Sequence, residues 1–131
     1  MAREMQPVRI MPIHEIPRDE WKGFFTSFSR AHDGWLCTLE VFAPELGAEV
    51  KTRGRPFEGI DVEERGGEGR VQIFIGKQPD GHESHELEGA TAVWLEELDG
   101  AGSGLRIEGK GGMARLWFRS PMLPEQVDGV A

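Results

Sequence analysis

The chain has no tyrosine, one cysteine and no long apolar run. The missing phenol removes one type of acid–base side chain. A lone thiol cannot close an intramolecular disulfide, so the expected compartment is reducing and cytoplasmic. No stretch approaches the ~18 consecutive apolar residues of a membrane-spanning helix, and no N-terminal apolar run suits a secretory signal. Positive charge is also scarce: 15 Lys and Arg stand against 23 Asp and Glu, a formal net charge of −8. That balance argues against a general nucleic-acid binder, whose footprint is basic. G-x-S-x-G, H-E-x-x-H and C-x-x-C are absent too. Gly66-Gly-Glu-Gly69 and Gly109-Lys-Gly-Gly112 match neither a phosphate loop nor a dinucleotide fingerprint.

What is present is a globular composition, 38% hydrophobic and 29% charged over 131 residues, long enough for one domain with its own core. Glycine, at 18 residues, is about twice its usual frequency and signals many tight turns. Residues 1–12 read as an extended arm with a short strand near Val8–Ile13, residues 13–119 as a single domain, and residues 120–131 as a tail. A helix opens at Pro17, carries Asp19 and Glu20 in its first turn, and ends at Asp33-Gly34. Trp21, Phe24, Phe25 and Phe28 recur at i, i+3, i+4 and i+7, an aromatic stripe suited to lie on a sheet.

From Trp35 the period changes to two. Alternating runs at Trp35–Phe42, Ala48–Arg53, Phe57–Glu64, Arg70–Gly76, Thr91–Leu98, Leu105–Ile107 and Met113–Arg119 are separated by glycine-rich turns, with Gly54-Arg-Pro56 read as a break and His82–Glu88 as a polar segment. No helical stretch separates them, so parallel crossovers are not expected. The expected class is α+β: one N-terminal helix followed by an antiparallel meander of seven or eight short strands, forming a curved sheet or small partly open barrel whose opening the helix covers. A flatter two-layer α/β sandwich is the alternative.

Chemistry-bearing residues fall in three groups. Asp80, His82, Glu83, His85 and Glu86 interleave imidazoles with carboxylates, the donors a zinc-like ion takes. On a strand, however, residues 82 and 85 point to opposite faces, and a solvated polar loop is the plainer account. Cys37 shares a face with Leu39 and Val41 and reads as a small buried hydrophobe. Arg115, Trp117 and Arg119 share one strand face, with Arg106 close by if the last two strands pair. Interleaved arginine and aromatic groups can stack bases or grip an acidic peptide, or arginine stems can simply cover Trp117. Phe42, Trp94 and Trp117 all lie opposite the expected core faces, as contact aromatics do. The adjacent acids Glu63-Glu64 and Glu96-Glu97 sit on opposite strand faces and make poor acid–base pairs.

Ile16-Pro-Arg-Asp-Glu-Trp21, His32-Asp-Gly-Trp-Leu36 and Phe118-Arg-Ser-Pro-Met-Leu-Pro124 together resemble a family of small uncharacterised bacterial proteins, classed as a domain of unknown function. The likeness runs from about Met11 to the C-terminus and fits Met11 as the start, with residues 1–10 as an extension. It implies a small bacterial protein and transfers no activity, cofactor or site. At the level of fold alone, the helix and bent meander are similar to small barrels of the Sm and SH3 type.

The first functional expectation is a non-enzymatic protein-binding or self-assembly module, with Trp94, Arg115, Trp117 and Arg119 as contact residues and another protein or a second copy as partner. The second is a metal-binding protein or metal-dependent enzyme using His82 and His85 with Asp80 and Glu86. The third is a nucleic-acid binder through Arg106, Arg115, Trp117 and Arg119. No catalytic residue, cofactor or membrane partner is assigned. Charge is unevenly spread: Gln78–Leu105 holds seven acids and no Lys or Arg, so −7 of the −8 lies there and the strand pair after it is locally basic.

Overall fold

The computed structural model describes residues 10–76, 81–98 and 102–119. The expected tail and most of the expected arm lie outside them. The described elements are β1 (Ile10–Glu15), a 3-10 turn (Arg18–Glu20), α1 (Trp21–Ala31), β2 (Leu36–Ala43), β3 (Gly47–Arg65), β4 (Glu68–Ile75), β5 (Glu83–Leu98), β6 (Gly102–Gly109) and β7 (Gly112–Arg119).

The helix forms where its aromatic period runs. Trp21, Phe25 and Phe28 are buried and Phe24 is packed at the edge of the core. Ser29 fastens the outer side to β3: its hydroxyl accepts from the Ile60 N–H at 2.9 Å and donates to the Ile60 carbonyl at 3.2 Å. The Trp21 indole N–H donates to the Ile16 carbonyl at 2.9 Å, which ties the helix start to the segment leaving β1. The turn at His32–Gly34 then hands the chain to β2, with the Gly34 N–H donating to the Phe57 carbonyl at 2.8 Å.

The expected meander is present, and it closes. The strands run in the order β1-β5-β4-β3-β2-β7-β6, and β6 pairs back onto β5, so six strands form a closed antiparallel barrel. β1 is the extra strand, paired to the second half of β5 from Ile10 opposite Leu98 to Glu15 opposite Trp94. Closure gives every strand of the six-stranded ring two neighbours, which shortens the open edge that flat sheets must manage. The interior is filled by alternate residues of every barrel strand, including Leu39, Phe57, Ile73, Val93, Leu105 and Leu116, each essentially inaccessible.

β1 runs on to Glu15, past the expected end at Ile13, and the α-helix proper opens at Trp21 after the 3-10 turn rather than at Pro17. Two expected breaks are absent. Gly54-Arg-Pro56 does not end a strand, because β3 continues through it for 19 residues. Its first part pairs with β2 and its second with β4, and the pairing slips between Cys37 and Thr38 just where Gly54 adopts a φ of 68°. In the same way the expected His82–Glu88 segment, from Glu83 on, and Thr91–Leu98 belong to one 16-residue strand, β5, whose pairing with β4 slips across Gly89 at φ 63°. A bulge with a left-handed glycine bends a strand sharply, which lets β3 serve β2 and β4, and β5 serve β4 and then β6 and β1, and so turn the corners of the barrel.

Cys37 is buried as expected. Its thiol donates to the Arg55 carbonyl at 3.3 Å, and burial first, then the charge of Glu83, pushes its pKa to about 12. The thiolate is the reactive form. Cys37 is therefore expected to resist aromatic disulfide reagents in the folded protein and to react fully once the chain is unfolded in denaturant. Rapid stoichiometric labelling of the native protein would contradict this placement.

Candidate functional site

The outward side chains of β5, β6, β7, β2 and β3 form a lattice that the backbone register defines. One row runs Trp94, Arg106, Arg115, Glu40, Val50, each opposite the next. The row beside it runs Ala92, Glu108, Met113, Phe42, Ala48. On the other side stand Glu96, Gly104, Trp117, Thr38 and Arg53. These rows exist because period-two alternation sends Leu105, Ile107, Ala114 and Leu116 inward and their neighbours outward.

Glu96 anchors the lattice. Its side chain has no solvent exposure, and Arg115 reaches it with two donors, Nε to Oε1 at 3.0 Å and a terminal nitrogen to Oε2 at 3.3 Å. Arg106 lies 3.6 Å from the same carboxylate and 3.2 Å from Glu108, although its Nε–H is not aimed to form a hydrogen bond. Each arginine also lies over a tryptophan: Arg106 is 5.5 Å from the Trp94 ring centre and Arg115 is 5.8 Å from that of Trp117. A guanidinium above an aromatic face is attracted by the ring quadrupole, and its stem covers apolar surface. Trp94 and Trp117 are consequently half-buried, Phe42 is half-buried beside them, and both indole Nε1 atoms are covered without an acceptor among the described residues.

Of the expected contact residues, Trp94, Arg115 and Trp117 are therefore brought together, with Arg106 between them. Arg119 ends β7 opposite Leu36, and its side chain lies outside the described residues. Glu96 was missed, because in the sequence it is one acid of a run without a basic neighbour. Its parity with Trp94, on the face that β6 and β7 fill with arginines, was the available signal.

Of the expected metal ligands, the described His82, His85 and Glu86 are each engaged with different partners. His82 pairs with Glu58 at 3.0 Å and stacks on Phe74 on the outer wall. His85 lies opposite the buried Ile73 and contacts Glu83 at 2.9 Å. Glu86 is held by Arg70 at 3.1 Å and Gln72 at 3.2 Å, and Asp80 lies outside the described residues. Among the described residues no group of three or more His, Cys, Asp or Glu is placed to hold a metal ion.

Glu83 gathers a second polar cluster. Thr52 donates to it at 2.7 Å, and Arg55 and His85 contact it as well. The Thr52 hydroxyl above all, then His85 and Arg55, hold the Glu83 carboxyl below the usual carboxylate range. A carboxyl lowered in the folded state stabilises the fold above its unfolded pKa of ~4.3, and that contribution is lost as pH falls through the lowered value. Glu83→Gln is thus expected to flatten the acid side of a stability–pH profile measured by urea unfolding. An unchanged acid limb would remove Glu83 from that role.

A surface groove of about 680 Å³ lies between the helix start and β3, lined by Arg18, Asp19, Trp21, Lys22, Glu63 and Glu64 among others. Its charges pair with one another, as in Arg18–Glu64 at 3.4 Å and Lys22–Asp61 at 3.9 Å. Among the described residues no helix is long and apolar enough to cross a membrane. The chain matches no curated protein and no solved structure. Its sequence does match one family over residues 12–127, the span that holds the helix, the whole barrel and the tryptophan–arginine lattice. The chain belongs to DUF5335, a family of unknown function.

Proposed function

We propose that this protein is a non-enzymatic protein-binding module whose contact surface is the outer wall of β5, β6, β7, β2 and the adjoining part of β3. The observation that carries this reading is the gathering of half-buried Trp94, Trp117, Phe42 and Met113 on one wall, bordered by the exposed Val50 and Leu46. Those two are the exposed large hydrophobic residues among the described ones, at 41% and 75%, and both belong to the β2–β3 hairpin. Aromatic and aliphatic side chains interspersed with arginine have the composition of interface hot spots.

Charge favours a protein over a nucleic acid here. Arg106 and Arg115 are already matched by Glu96 and Glu108, so little positive potential is left to replace counterions on phosphates.

Capture from lysate with immobilised wild type, Phe42→Ser and Leu46→Ser tests the reading. Binding that the wild type shows and both variants lose, with unchanged circular dichroism, is the expected outcome. Equal capture by all three would place the contact elsewhere.

A further inference from the structure

Resting on that reading, we infer that the occupant of this wall is a second copy of the chain, seated about a two-fold axis that runs along the strands between β2 and β7. The argument begins with register. Across that boundary Thr38 stands opposite Trp117, Glu40 opposite Arg115, and Phe42 opposite Met113. A two-fold axis in the plane of contact and parallel to the strands exchanges β2 of one copy with β7 of the other. Each side chain of β2 and β7 then meets the register neighbour of its own position, and β3 comes over β6 of the other copy. Met113 meets the partner subunit's Phe42, Trp117 meets the partner subunit's Thr38, and Arg115 meets the partner subunit's Glu40. The wall is self-complementary under this operation, as an isologous interface requires.

Charge supplies the second line. Glu40 is half-buried and has no ion-pair partner among the described residues, although Arg115 lies directly across from it. Arg115 has turned to Glu96, with Nε and one terminal nitrogen engaged there. Its other terminal nitrogen has no partner among the described residues. The second copy supplies what each lacks. Across the whole lattice Arg53, Arg106 and Arg115 offset Glu40, Glu96 and Glu108, a balanced surface on a chain of net charge −8. Two acidic molecules approach with least repulsion where each is neutral.

Size sets the strength. About this axis β6, β7, β2 and β3 overlay their counterparts while β5 has none. Four strands about 4.8 Å apart and five residues deep, at about 3.4 Å each, give roughly 330 Å² per copy in projection. That is below the size of a standard stable interface, so the dimer is weak, reversible and concentration-dependent.

Sedimentation and light scattering of the full chain over a wide concentration series test the inference. The mass is expected to rise from 14.6 kDa toward twice that value. Glu40→Arg faces the partner subunit's Arg115 and is expected to weaken dimerisation about tenfold or more. Val50 lies in the row that meets the partner subunit's Arg106. Val50→Arg therefore weakens the dimer while Val50→Asp keeps or tightens it, an asymmetry that loss of apolar contact alone does not produce. A dimer indifferent to Glu40→Arg, or weakened equally by both Val50 variants, overturns the inference. So does a chain that stays monomeric throughout. In that last case, capture from lysate that Phe42→Ser abolishes leaves the binding reading standing with a different protein as occupant. Failure of capture as well overturns both.

Discussion

Glu96→Ala is expected to cost about 3–5 kcal/mol of folding stability, the range found when one member of a buried ion pair is removed. The carboxylate has no exposure, while the side chains of Arg115 and Arg106 retain only 13% and 22%. Deleting it leaves two guanidinium groups partly desolvated with no common counter-charge, so the loss exceeds what the hydrogen bonds alone contribute. Equilibrium urea unfolding would show it as a fall in the transition midpoint at constant slope. Adding Arg115→Met to the same chain should recover part of the loss, since an apolar side chain of similar length leaves no orphaned charge at that position. If Glu96→Ala instead shifts stability by less than about 1 kcal/mol, the range of an exposed pair, the carboxylate is not the anchor of the lattice.

Phe57→Ala is expected to cost a similar amount, about 3–5 kcal/mol for a fully buried phenylalanine. Phe57 has no exposure and lies where β3 passes from β2 to β4. Its ring meets Phe118 edge-on at 5.0 Å and Phe28 at 6.1 Å, so it joins the helix, β3 and β7. Its backbone is equally committed: the N–H donates to the Trp35 carbonyl and the carbonyl accepts from the Gly34 N–H, both at 2.8 Å. Truncation leaves a cavity that three elements would have to close together, and such a site relaxes poorly. A melting temperature lower by more than about 10 °C is the expected reading for a domain of this size. A drop of only a few degrees would mean that the helix does not depend on this contact.

The helix and the alternation were legible because each is a local periodic signal. Trp21, Phe25 and Phe28 fall on the buried face as their spacing requires, and Ala114, Leu116 and Phe118 point inward while Arg115 and Trp117 point outward. Period two also placed His82 and His85 on opposite faces. Closure was not legible. β5 pairs with β4, β6 and β1, and no periodicity says which strand lies beside which. Gly54-Arg-Pro56 misled because a left-handed glycine serves a turn and a bulge alike. Glu96 escaped because its counter-charges, Arg106 and Arg115, lie on two later strands and only the register brings them to it.

The two ends of the barrel's chain are also its seam. Leu36, which opens β2, pairs with Arg119, which closes β7, and β1 waits for the far half of β5. During synthesis the aromatic helix and the β2–β3 hairpin therefore emerge long before the strands that cover them. Until β7 leaves the ribosome, the nascent chain presents an open β2 edge and an incomplete core, the state in which sheet proteins are most prone to pair with one another. Folding should be slow for this length, because its defining contacts join residues distant in sequence. Truncation anywhere before Arg119 is expected to give insoluble protein rather than a smaller barrel.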